Sequence, residues 1–81
     1  QMAEYPGAYY SEELDATWDL TTEKDALYVV GVESPFSPVE ADVFRLGGVV
    51  LRFVRDAEGR IAGLNADAGR VRGLGFVRER D

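Results

Sequence analysis

The sequence predicts an all-β fold: a small eight-stranded antiparallel up-and-down barrel with a filled interior. Three observations predict it. A short phrase occurs twice, since Asp56-Ala57-Glu58-Gly59-Arg60-Ile61-Ala62-Gly63-Leu64 is echoed by Asp67-Ala68-Gly69-Arg70-Val71-Arg72-Gly73-Leu74. Each copy has an acid, a glycine, an arginine and a β-branched residue. That order suits a hairpin, in which the acid bonds the turn backbone, glycine takes a positive φ and the strand resumes. Next, turn signals recur about every eight to twelve residues, separating runs that alternate with a period of two. Lastly, no stretch carries helical periodicity of useful length. Closing such a set of short strands into a barrel removes the exposed edges that an open sheet would keep.

Taken in order, residues 1–6 are expected to be a lead-in or linker, 7–78 the barrel and 79–81 a C-terminal tail. Ala8-Tyr9-Tyr10 makes a short strand, and Ser11-Glu12-Glu13-Leu14 a turn. From Ala16 to Thr22 the alternation is clean, with Ala16, Trp18 and Leu20 on one side and Thr17, Asp19 and Thr21 on the other. Glu23-Lys24-Asp25 turns the chain into a strand over Ala26–Val30. The stretch Gly31–Ala41 holds Pro35 and Pro38, which cannot donate ladder hydrogen bonds, so a strand there is short, irregular or at an edge. Asp42–Leu46, Val49–Arg55, Ile61–Ala66 and Val71–Arg78 complete the set, with Gly47-Gly48 as a tight turn. In the last strand Val71 has the wrong parity to accompany Leu74 and Phe76, and a bulge near Gly73 would bring all three inside. The inward set is expected to be Trp18, Leu20, Leu27, Val29, Phe44, Leu51, Phe53, Leu64, Leu74 and Phe76. An eight-stranded barrel has room only for side chains or one small molecule, and residues this bulky should fill it.

The 81 residues are enough for one domain, which buries roughly 60–65% of its unfolded surface. Apolar runs are short, so no membrane span is expected, and no signal peptide is visible. Nothing in the sequence assigns a compartment. The net charge of −6 conceals an asymmetry. Up to Asp42 there are ten acidic residues against one base, Lys24; from Val43 onward there are five against eight arginines. The overall sign argues against nucleic acid, which needs a clustered positive face. The arginines either face the acidic half of the same molecule or form a basic strip for a partner, on Arg52, Arg70, Arg72 and Arg78.

Catalytic chemistry is hard to find. The sequence has no histidine and no cysteine, which removes imidazole-based triads, imidazole metal sites and thiol catalysis. Ser11, Ser34 and Ser37 are the three serines, and none has a lysine three residues on. Asp56-Ala57-Glu58-Gly59 falls short of a calcium loop in ligand number and lacks the closing bidentate glutamate. The pairs Glu12 with Glu13 and Asp15 with Asp19 sit on turns and outward faces, where carboxylates solvate a fold. No catalytic residue, cofactor or metal is expected, and the chain is not expected to be an enzyme.

Gly7-Ala8-Tyr9-Tyr10-Ser11-Glu12-Glu13-Leu14-Asp15-Ala16-Thr17-Trp18 resembles the opening of the C-terminal barrel that follows the catalytic domain in many serine hydrolases of the β-lactamase and penicillin-binding-protein class. The resemblance continues through Phe36–Phe44 and Leu51–Leu64 and closes at Gly69–Phe76, covering about residues 7 to 78. It implies a lipocalin-like barrel without catalytic residues, the Ser-x-x-Lys nucleophile motif lying in the neighbouring domain. It further implies a module that packs against that domain, in cis or in trans, borders its substrate cleft or mediates oligomer formation. The sequence lacks both that motif and the catalytic domain. Tyrosine is favoured at interfaces where one end of the ring stays wet, so Tyr5, Tyr9, Tyr10 and Tyr28 join the arginine strip as candidate contact residues. Two other functions stay open: a stand-alone carrier of small apolar ligands, and a homo-oligomeric structural module.

Overall fold

A computed structural model describes residues 2–79 and carries the expected architecture, eight antiparallel strands in a nearly closed barrel. The strands are β1 (Gly7–Ser11), β2 (Ala16–Glu23), β3 (Ala26–Val29), β4 (Ser37–Glu40), β5 (Val43–Leu46), β6 (Val49–Arg55), β7 (Ile61–Ala68) and β8 (Val71–Arg78). Their order in the sheet is β3-β2-β1-β8-β7-β6-β5-β4, so among the described residues β1 against β8 is the sole ladder between strands distant in sequence. Among the described residues no helix is long and apolar enough to cross a membrane.

The remaining seam, β3 against β4, is closed at one point. Leu27 and Phe36 exchange both backbone bonds, at 3.1 and 2.7 Å. Beyond them the strands part. Pro38 has no N–H to give, and the register shifts between Pro38 and Glu40. Residues 31–41 are thus a loop, a bridge at Phe36 and a short edge strand whose four residues are all exposed.

The doubled phrase folds as two turns built differently. Asp56 Oδ1 accepts the N–H groups of Glu58 and Arg60, at 2.9 and 3.0 Å, and Gly59 adopts φ +82°. In the second copy the acid stands one residue nearer its glycine, so Asp67 falls inside β7 while Gly69 turns the chain at φ +60°. Its Oδ1 accepts the Gly73 N–H at 2.6 Å instead. There Arg72 and Gly73 together face Asp67, which is the expected bulge. It does not bring Val71 inside. Val71 pairs with Ala68 at the barrel rim, past the last core layer, and remains 53% exposed.

The lumen is packed by Tyr5, Tyr9, Leu20, Leu27, Val29, Phe36, Phe44, Leu51, Phe53, Ile61, Leu64, Ala66 and Phe76, all buried. Burying one Leu or Phe side chain is worth about 1.5–3 kcal/mol, so this cluster supplies the main drive to fold. Trp18 and Leu74 were expected inside but only half enter, packing against the cluster from its edge. Trp18 lies on Phe76 with ring centroids 4.2 Å apart.

The expected lead-in is part of the folded unit. Met2–Glu4 forms a single 3-10 turn, and Tyr5 then plugs one end of the barrel, its ring 5.0 Å from Phe44 and 4.7 Å from Phe53. Arg78 holds the segment from the opposite side, donating to the carbonyls of Glu4 and Pro6 at 3.0 and 2.6 Å. Of the expected tail, Glu79 continues the β8–β1 ladder by donating to Ala8 O. Gln1, Arg80 and Asp81 lie outside the described residues.

Candidate interaction surface

The eight candidate contact residues separate into three groups. Tyr5 and Tyr9 are core, contrary to expectation. The Tyr9 hydroxyl donates to Tyr5 O at 2.7 Å, and the ring packs edge-on to Phe53. Burial pushes the Tyr9 phenol above its ordinary pKa. Arg78 is engaged internally as well, lying over the Tyr9 ring at 5.7 Å. Tyr5 and Tyr9 have no free face to offer, and Arg78 is half-buried with its guanidinium committed to the N-terminal segment. Arg52 is exposed, but its guanidinium pairs with Asp67 at 2.6 Å, bridging β6 and β7 on the outer surface. Asp67 is held below the usual carboxylate range first by the Gly73 N–H and then by Arg52. Tyr28 faces outward on β3 opposite Thr21, remote from the other candidates. Tyr10, Arg70 and Arg72 are the ones left near a shared surface.

Tyr10 faces outward because Tyr9 and Ser11 take the inward positions of β1. It pairs with Val77 on β8, which pairs with Gly63 on β7, which pairs with Val54 on β6. One row across four strands is therefore Tyr10, Val77, Gly63 and Val54, with Val77 67% and Val54 44% exposed. In the neighbouring row, Asn65 faces Gly75. With glycines at the centre of both rows, the outer face of the sheet sinks into an open groove of about 890 Å³, with Glu12 and Glu13 from the β1–β2 turn on its rim. Glycine inside a strand marks a place where backbone, or another molecule, comes close. Gly63 fits the first description: a Cβ on it would overlap the Phe76 carbonyl. At Gly75 there is room instead: a Cβ there would meet only Asn65 Oδ1, at 3.6 Å. The expectation missed this groove. The signal was available in Gly63 and Gly75, which stand within strands where no turn needs them.

A second concavity of about 540 Å³ lies at the plugged end, between Met2, Tyr5, Phe44 and the β4–β5 connection. The carboxylate in its wall, Asp42, is already committed. Arg55 donates to both its oxygens at 2.8 Å, and the Tyr5 hydroxyl adds a third bond at 2.7 Å. Arg55 also reaches Glu4 at 2.7 Å and Gly59 O at 2.6 Å. The guanidinium holds the carboxyls of Asp42 and Glu4 below their ordinary values, and they in turn raise its own. This clamp is where the acidic and basic halves of the chain meet within one molecule. It ties the N-terminal turn to β6 and leaves the groove on β6-β7-β8-β1 as the stronger candidate surface. Family models, curated proteins and solved structures yield no match to this chain.

Proposed function

We propose that this chain is a non-catalytic accessory barrel of a β-lactamase-class serine hydrolase, acting by surface contact with the catalytic domain, at the border of its substrate cleft or in its assembly. The observation that carries the reading is the filled lumen: thirteen buried side chains occupy the space in which a carrier would hold its ligand. What remains for molecular work is the exterior, and the exterior has a groove with apolar walls and a charged rim. The resemblance over residues 7 to 78 supplies the partner class, and the absence of histidine and cysteine from the sequence agrees with a role without catalysis.

Hydrolysis by the catalytic domain of such an enzyme, expressed with and without this barrel, tests the reading. A change in rate, substrate preference or oligomeric state on adding the barrel is the expected result. Identical behaviour in all three would overturn it. The reading frame upstream of Gln1 offers a second check, since an accessory role in cis requires a Ser-x-x-Lys nucleophile encoded there.

A further inference from the structure

We infer that the groove on β6-β7-β8-β1 receives the β7–β8 hairpin tip of a second copy of this chain, giving a two-fold symmetric dimer. This rests on the reading that the barrel works through its exterior, and it assigns the assembly role to one face. The tip presents Arg70, Val71 and Arg72 in sequence, all exposed, with the apolar side chain between two cations. The groove presents the converse: Val77, Val54 and Tyr10 form apolar walls, and Glu12 and Glu13 an anionic rim. Among the described residues, none of Glu12, Glu13, Arg70 and Arg72 takes part in an ion pair. Arg72 acts on Asp67 across the bulge without contacting it, so the closest charge contacts of both features are left for a partner.

Their placement is what a two-fold axis requires. The β1–β2 turn carrying Glu12 and Glu13 and the β7–β8 turn carrying Arg70 lie at the same end of the barrel, on neighbouring strands β1 and β8. An acidic patch beside a basic patch becomes self-complementary when a second copy is rotated by half a turn, because each then meets its opposite. Val71 of each copy would cover the exposed apolar walls of the other, and the rim charges would set the register.

Sedimentation equilibrium of the full chain, from micromolar to millimolar concentration, tests this. The unaltered chain should approach twice 8.9 kDa at the upper end. Val77→Asp places an unpaired charge on the apolar wall and should weaken association on the order of tenfold or more. Glu12→Arg with Glu13→Arg, and Arg70→Glu with Arg72→Glu, should each give monomers alone and recover a heterodimer when mixed. The mixing arm decides better than a salt titration, because each copy carries −6 and salt relieves overall repulsion while it screens the local pairs. A monomer at every concentration overturns the inference. So does association that survives all three variants, which would place the contact elsewhere, such as the open β4 edge. A barrel that alters hydrolysis while staying monomeric removes this inference and leaves the accessory reading standing.

Discussion

Gly63 and Gly75 stand one row apart on the same groove, yet a methyl group would have opposite consequences at the two positions. At Gly63 it would overlap the Phe76 carbonyl, and a backbone held in a ladder cannot swing aside as the end of a side chain can. Gly63→Ala should destabilise by about 1–3 kcal/mol, lowering the melting midpoint by several degrees in a domain of this size. Gly75→Ala has ordinary contact distances and no positive φ to strain, so it should leave stability unchanged or raise it by about 0.4–1 kcal/mol. Thermal unfolding of both variants checks the contrast, and equal midpoints would show that β7 and β8 are farther apart than described. The same scale shows where the sequence was ambiguous. Tyr9 and Tyr10 are adjacent, so alternation puts them on opposite faces without saying which one enters the core. The choice falls on Tyr9, because Tyr5 O stands ready to accept its hydroxyl and Phe53 to pack against its ring.

Between elements, the strands follow from local pattern and the connections from contacts made across the barrel. Val49–Arg55 and Val71–Arg78 coincide with the expected strands because alternation and turn residues lie within a few positions of one another. The Arg55 clamp could not be read in this way, since it joins Glu4 and Asp42 to a residue 51 and 13 positions away. Its pH dependence follows from direction alone. Asp42 and Glu4 have folded values below those of the unfolded chain, about 3.9 and 4.3 for such carboxyls. Below those values the unfolded chain binds more protons than the folded one. The stability they contribute is therefore complete above about pH 5 and is lost as pH falls through the folded values. Arg55→Gln removes the first cause at both carboxyls, so the variant should start less stable and lose less of what remains as the solution is acidified. Urea midpoints measured from neutral to strongly acidic pH check this; parallel curves would show that the clamp does not form in solution. The β4 edge belongs to this scale too. Two prolines announced an irregular strand, but only the structure shows that it leaves β3 after the single bridge at Phe36.

For the whole molecule, the filled barrel makes one further prediction. Trp18 sits at the margin of the core against Phe76, where any opening of the lumen would alter its surroundings. Titration with fatty acids or other apolar compounds should leave its fluorescence unchanged, and a saturable response would show that the interior opens to a guest. The number of strands, their approximate limits, the positions of both repeated turns and the bulge near Gly73 were all set by the sequence itself, though not the placement of Asp67 inside β7. Each depends on neighbours within a few residues, and periodicity reports such neighbours directly. Periodicity says that faces alternate, but not which face is inside, nor what lies opposite across the barrel. Tertiary packing decided those: it drew Tyr5 and Tyr9 into the core, spent Arg78 and Arg55 on fastening the N-terminal turn, and set Tyr10 of β1 beside the row that the β7–β8 pairing had built around Gly63. The contacts of the N-terminal turn and of Tyr10 join positions far apart in the chain, and periodicity within a strand carries no record of them.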